Sequence, residues 1–264
     1  MSFSADALRD IALKVAKRAA LPLQRAQEDI GEIQTKSSKL DWVTKWDVET
    51  EELIKADLQK ETPSIPILGE EKGLLGDDGN SDCWLVDPID GTVNFGHGLP
   101  HFAVSIAYQS SSELLCGVTI APVLGWTFAA AKGHGATLNG APLKVSKRST
   151  LDESMLASGF PYDRAITSHN FKAWNHMQRK ACGCRRFGAA TLDLAMVAAG
   201  WLDGYWESRL SPWDLAAGAL LVREAGGVVT GLDGGVFDPH LGHAMASNGL
   251  IHDEMQKELK EVLS

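Results

Sequence analysis

The sequence predicts a mixed α/β protein whose sheets and helices stack in layers, and three observations point there. Apolar segments at 102–109, 114–121 and 126–131 follow one another with only Ser/Glu or Pro/Gly turns between them, as successive antiparallel strands do. Beyond residue 150, strand-like and helix-like segments alternate. A length of 264 residues is normal for a single α/β or two-lobed unit and large enough to bury a substantial core.

Each element has its own signal. Residues 5–29 set Leu8, Ile11, Ala12, Val15 and Ala19 on one helical face, the pattern of a docked N-terminal helix. Lys14, Lys17 and Arg18 give this segment some likeness to a transit peptide, but the acids Asp6, Asp10, Glu28 and Asp29 argue against that. A second helix is predicted near 46–60, then short strands near 65–68 and 83–87. After the antiparallel run, Lys132-Gly133-His134-Gly135 and Asn139-Gly140 are turn signals, so Asn139-Gly140-Ala141-Pro142 joins two hairpin strands. The second half then predicts a strand near 155–159, a helix near 168–180, a buried helix at about 189–200 and a strand at 203–207. A helix opens at Ser211 and runs to about 225, strands follow near 228 and 245, and an amphipathic helix closes the chain from 250. The seam at 144–152 lacks the composition of a flexible linker. One domain over 1–264 is therefore expected, with an N-terminal α+β lobe of about 1–148 and a C-terminal α/β lobe of about 149–264, and with the acids gathered where the lobes meet.

Composition narrows the function classes. Charged residues at 22% and hydrophobic ones at 44% describe a soluble globular protein, and no apolar stretch approaches the length of a membrane span. A net charge of −9 argues against a nucleic-acid substrate, because phosphate-backbone binders present basic faces. Cys83, Cys116, Cys182 and Cys184 lack the C-x-x-C spacing and the His partners of a zinc site, so reduced thiols in a cytoplasmic protein are expected.

The chemistry is concentrated at Asp87-Pro88-Ile89-Asp90-Gly91-Thr92-Val93-Asn94-Phe95. Two carboxylates three residues apart end an apolar strand, and Gly-Thr follows at once. Carboxylates are hard oxygen ligands suited to Mg²⁺, which keeps waters and shares substrate phosphate oxygens. Pro88 is expected to stop the strand at Asp87 and turn both acids outward, while N–H groups around Gly91 and Thr92 can face an anion. Glu70 and Glu71 end another apolar run. In Ser211-Pro212-Trp213-Asp214, the serine suits an N-cap, the proline the first helical position, and Asp214 the third, where an acid is stabilised by unpaired N–H groups. An acidic pocket that handles an anionic ester needs cations between the two, so the cluster itself argues for a metal. His97, His101 and His134 are read as loop or surface residues rather than ligands.

Together these motifs resemble the inositol monophosphatase family of Mg²⁺-dependent, lithium-sensitive phosphatases. The resemblance spans nearly the whole chain: Asp41-x-Val43-Thr44-x-x-Asp47, Gly69-Glu70-Glu71, the signature at 87–95, Gly188-Ala189-Ala190, Glu207, the W-D-x-A-A-G run from Trp213, and E-A-G-G from Glu224. It implies an α/β/α/β/α sandwich of the sugar-phosphatase type, usually dimeric. It also implies two to three Mg²⁺ ions, the first held by Glu70, Asp87 and the Ile89 carbonyl, the second by Asp87, Asp90 and Asp214, and a looser third near Glu70. Thr92 and Asp47 would orient and deprotonate the attacking water, with Glu70 beside them. Substrate contacts would come from Asp90, Gly91, Thr92, Gly188, Ala189, Ala190, Glu207 and Asp214, with Glu207 accepting hydrogen bonds from ring hydroxyls. Ala189 stands where many relatives carry Ser or Thr, which removes one hydroxyl contact.

The expected activity is hydrolysis of a small phosphorylated polyol or sugar, led by myo-inositol monophosphate. Two alternatives stay open. One is a related phosphatase acting on histidinol phosphate, fructose bisphosphate or an adenosine bisphosphate; the other is a regulatory binding protein that keeps the scaffold without the chemistry. Arg185 and Arg186 fit either surface charge or a role at the pocket rim or a dimer contact, and Trp46 either local packing or cover for the water side.

Overall fold

Ser4 opens the first helix, α1 (Ala5–Ala26), by accepting the Ala7 N–H on its side chain. Leu8, Ala12, Val15, Ala16, Ala19 and Leu23 then fall at three- and four-residue intervals and are all buried. The helix stops at Ala26 rather than 29, because the Glu28 and Asp29 N–H groups bond back to Arg25 and Ala26 as a turn. The computed structural model describes residues 3–76, 82–111, 113–162 and 168–263.

Helix α2 (Lys45–Glu61) follows a two-strand hairpin, β1 (Gln34–Thr35) with β2 (Trp42–Val43), which sequence patterning misses because two residues per strand carry no periodicity. Strands β3 (Ile67–Gly69), β4 (Gly73–Leu75), β5 (Asp82–Asp90), β6 (Ala103–Ser110), β7 (Glu113–Ala121), β8 (Trp126–Ala131), β9 (Gly135–Leu138) and β10 (Ala141–Pro142) form one sheet, in the order β10-β9-β8-β7-β6-β5-β3-β4. Neighbours run antiparallel except β3 and β5. The expected hairpin at Asn139-Gly140 is present, between β9 and β10.

Strand β5 departs from expectation. It does not stop at Asp87 but runs to Asp90, and its pairing with β6 slips between them: Asp87 faces Ser105 and Asp90 faces Ala103. Three steps on one strand thus meet two on the other, a bulge at Pro88-Ile89 that accommodates a residue with no N–H to donate. The bulge re-aims both carboxylates, which are buried rather than turned out to solvent.

The second sheet joins β11 (Met155–Ser158), β12 (Gly183–Arg185), β13 (Gly204–Ser208), β14 (Val228–Thr230) and β15 (His243–Ser247) in the order β12-β11-β13-β15-β14. Here β11 is parallel to both β12 and β13, so three strands present their carboxyl ends along one edge. Between the sheets lie α5 (Ala190–Ala198) and α6 (Pro212–Glu224), after the five-residue turn α3 (Thr92–Gly96) that leaves β5. Every α6 residue from Leu215 to Val222 is buried, as a helix apolar all round must be when sheets cover both sides. Helices α1 and α2 cover the outer face of the large sheet, and α4 (Ser168–Lys180) and α7 (His252–Leu263) cover the other face of the small one. The layers therefore read α/β/α/β/α.

Candidate active site

One pocket of about 380 Å³ opens between the sheets, at the carboxyl ends of the parallel strands, where open α/β sheets place their ligands. Glu70, Asp87, Ile89, Asp90, Gly91, Thr92, Gly188, Ala189, Ala190, Glu207 and Asp214 all line it. Asp47 sits directly behind, accepting the Thr92 hydroxyl at 3.0 Å. Every residue named from the resemblance as a cation ligand, a water-orienting group or a substrate contact therefore lines or backs this one pocket.

Each side chain is held by local structure. Asp47 is the third residue of α2 and closes a capping box: the Thr44 N–H and hydroxyl both donate to its Oδ2, at 2.8 and 2.6 Å. That leaves Oδ1 for Thr92, whose hydroxyl also lies 3.0 Å from the Ile89 carbonyl. Asp214 holds the equivalent position in α6 and accepts the Ser211 N–H at 2.7 Å, as the Ser-Pro-x-Asp spacing predicts. The Ile89 N–H donates to Asp87 Oδ1 at 3.0 Å across the bulge. Gly91 has φ +89°, and a Cβ there would stand 3.1 Å from the His101 carbonyl and 3.2 Å from Ala189, so only glycine lets the loop pass between them.

Several partners escaped sequence reading. Thr191, at the start of α5, donates its N–H and hydroxyl to Asp90 Oδ2 at 2.8 and 2.5 Å, tying the 87–92 loop to the helix beneath the opposite wall. Asn94 donates through Nδ2 to the carbonyls of His101 and Phe187, both at 2.8 Å, so the signature asparagine is a brace between α3 and the 186–190 segment. Lys36, from the β1–β2 hairpin, pairs with Glu70 at 2.8 Å and Glu71 at 2.5 Å. Burial alone would lower the Lys36 pKa, but the two carboxylates override it and hold it raised. No motif announced Lys36, since its partners lie more than thirty residues away.

His101 is less peripheral than expected. It stacks on Phe187, and its Nε2 lies 3.9 Å from the buried Asp193, with neither atom hydrogen-bonded. Of the arginine pair, Arg186 lines the pocket and Arg185 bonds back to the Cys184 carbonyl. Trp46 packs locally, with its indole N–H on the Asp29 carbonyl and Lys45 over its ring. Cys182 is exposed, the other three cysteines are buried, and all four are free.

The electrostatics are those of crowded buried acids. Asp87 is held well above the usual carboxylate range by burial and then by Glu70, Asp90 and Asp214 around it. Asp214 is raised by burial and by Asp90 and Glu70. Asp90 is raised by burial although both Thr191 bonds oppose the shift. Asp47 rises to about 6, burial outweighing its three hydrogen bonds. Glu207, accepting the Tyr205 hydroxyl at 2.7 Å, rises to about 8 through burial, against that hydrogen bond. Anions that destabilise one another this way, on hard oxygen donors beside a backbone carbonyl, form the setting a divalent cation relieves. The residues present therefore fit Mg²⁺.

These shifts make a stability prediction. An acid whose folded pKa lies above its unfolded value near 4 holds its proton longer in the native state, so stability falls as pH rises through that window and levels off above it. With Asp47 near 6 and Glu207 near 8, the Tm in chelator should drop by roughly 5 °C, on the order of 1–3 kcal/mol, between about pH 5 and 8.5. Glu207→Gln should flatten the upper half of that curve. A Tm rising steadily across this range would show that the pocket acids are not strained in the cation-free protein.

Comparison with known proteins places this geometry among relatives. The profile of the inositol monophosphatase family matches residues 4–264. The chain is 42% identical to an inositol-1-monophosphatase of Synechocystis over 231 residues, 87% of this chain and 80% of the relative. It is 43% identical to the Nus factor SuhB of Pseudomonas aeruginosa, over 90% of each. Among solved structures it resembles the inositol monophosphatase of Anabaena, with a TM-score of 0.88 at 38% identity, covering 97% of this chain and 96% of that one.

Proposed function

This chain belongs to the inositol monophosphatase family, and from that premise we propose that it is a phosphoric monoester hydrolase acting on a small phosphorylated polyol or sugar, myo-inositol monophosphate before others. One observation carries the reading: Glu70, Asp87, Asp90 and Asp214, from three separate segments, converge on one pocket beside the Thr92–Asp47 pair. A complete set of acids in this setting favours catalysis over a scaffold kept only for partner binding.

Glu70, Asp87, the Ile89 carbonyl, Asp90 and Asp214 would hold two to three Mg²⁺ ions, which supply an acidified water and neutralise charge on the phosphoryl and leaving oxygens. The protein's own groups do the rest. Thr92 and Asp47 orient the water, and the proton it loses passes by way of the Thr92 hydroxyl to Asp47 Oδ1, the carboxylate oxygen that the Thr44 capping box leaves free. Gly91 and the start of α3 bring backbone N–H groups towards the phosphate. Glu207, on the opposite wall with Gly188, Ala189 and Ala190, accepts from ring hydroxyls and fixes the polyol. Direct attack by water accords with a pocket whose acids are already engaged as ligands or base.

Lithium sensitivity and a homodimeric state belong to the same reading, supported by the family. The free cysteines support a cytoplasmic setting. No helix among the described residues is long and apolar enough to cross a membrane. The halves about 1–148 and 149–264 are read as two lobes of one domain, with the pocket between them.

A phosphate-release panel of phosphomonoesters, with and without Mg²⁺, tests the activity. Polyol recognition has its own test in Glu207→Gln, which should cost about 10- to 10²-fold in kcat/KM on inositol monophosphate, through the weakened charged hydrogen bond. A minimal aryl phosphate should be nearly unaffected. Equal losses on both substrates would place Glu207 in support of the metal acids and remove the polyol assignment.

A further inference from the structure

We propose that Glu51 is a positioning residue for Glu70: its buried carboxylate fixes the turn that aims the Glu70 side chain at Asp87. This inference rests on Glu70 being a cation ligand. Helix α2 carries Asp47, Glu51 and Lys55 at four-residue spacing, so all three share one face, and all three are buried. Asp47 ends in the pocket through Thr92. Glu51, one turn further on, faces the loop between β3 and β4 instead. Its Oε2 accepts the Glu71 N–H at 2.7 Å, and its Oε1 accepts the Lys72 N–H at 2.9 Å and the Lys55 ammonium at 2.8 Å. Lys55 in turn donates to the Gly73 carbonyl at 3.0 Å, while the Glu70 N–H is held by the Val86 carbonyl at 3.2 Å. Glu70 is thus pinned from both sides, by β5 before it and by Glu51 after it.

Gly69 shows how close the carboxylate comes. A Cβ at that position would stand 2.5 Å from Glu51 Oε2, so the acid occupies the space a side chain would take. A buried ion pair contributes little net stability compared with an apolar pair of similar size, so support of α2 alone does not account for Glu51 and Lys55. Capping two N–H groups next to Glu70 does. The same helix then sets the spacing between the Asp47–Thr92 pair and Glu70, the two sides of the proposed water site.

Binding of Mn²⁺, followed by calorimetry or by the electron paramagnetic resonance of the free ion, tests this without reference to turnover. Glu70→Gln identifies the ion that depends on Glu70. Glu51→Gln, whose amide meets the Glu71 and Lys72 N–H groups with one acceptor in place of two, should weaken that same ion about tenfold and leave the other unmoved, the usual scale for a group supporting a ligand. Steady-state rates should show a lower kcat with KM nearly constant. Should Glu51→Gln fold poorly, Glu51→Leu with Lys55→Met removes both charges together and answers the same question. Combining Glu51→Gln with Glu70→Gln should add nothing to the loss from Glu70→Gln alone, since one acts through the other. Additive losses, or a lowered Tm with unchanged Mn²⁺ binding, would reduce Glu51 to a structural acid and overturn the proposal. If Glu70→Gln itself binds both ions as the wild type does, the ligand assignment fails first and this inference goes with it.

Discussion

Exhaustive removal of divalent cations should lower turnover by at least about 10³-fold, and returning Mg²⁺ should restore it. A single preorganised group stabilising transition-state charge is worth about 10²–10³-fold, and chelation removes several such contributions at once. The acids of the pocket do not supply them alone. Asp87 and Asp90 are buried, Asp214 is half-buried, and all three are raised by desolvation and by the acids around them, so they repel an incoming phosphate when ionised and offer it little when protonated. Lys36 is already engaged by Glu70 and Glu71. The chelated protein should stay folded, with the lower Tm at alkaline pH argued above, so lost activity and lost structure separate in one experiment. Full phosphate release in chelator, checked by metal analysis of the sample, would end the metal-dependent reading.

What the sequence made legible follows the range of the interactions. Asp47 and Asp214 were readable because capping is local: Thr44 and Ser211 stand three residues before their acids, and the structure shows those bonds. The antiparallel run and the all-apolar α6 were readable because burial imposes a period or abolishes one. The local meaning of proline ends β5 too early: pairing with β6 carries the strand past Pro88 as a bulge, and that pairing is tertiary. Thr191, Asn94, Lys36 and Glu51 were missed for the same reason. Each acts on a residue 20 to 101 positions away; Asn94 lies in the 87–95 signature, which does not say what it braces, and nothing in the immediate neighbours of the other three marks them. His101 has no second histidine at metal spacing to mark it, and its ring is placed by Phe187 from the other half of the chain.

Asp90→Asn should retain the fold and lose at least about 10²-fold in kcat. The substitution preserves shape. Asp90 Oδ2 accepts both the N–H and the hydroxyl of Thr191, and an asparagine carbonyl can keep accepting there, so the tie between the 87–92 loop and α5 survives. The buried negative charge is gone, and with burial raising the wild-type pKa, the neutral variant should melt no lower than the parent in chelator at pH 8. The same charge is what the proposed second ion needs, and an ion held more weakly stabilises less of the charge developing in the transition state. Half-maximal activation should therefore move to higher Mg²⁺ as kcat falls. Thr191→Val separates the two roles of this acid, since it deletes the hydroxyl contact while leaving the carboxylate in place, and its cost should be the smaller. Near-normal kcat in Asp90→Asn, at a Tm equal to or above that of the parent, would mean that Asp90 braces the loop and that the second ion, if bound, draws on other ligands.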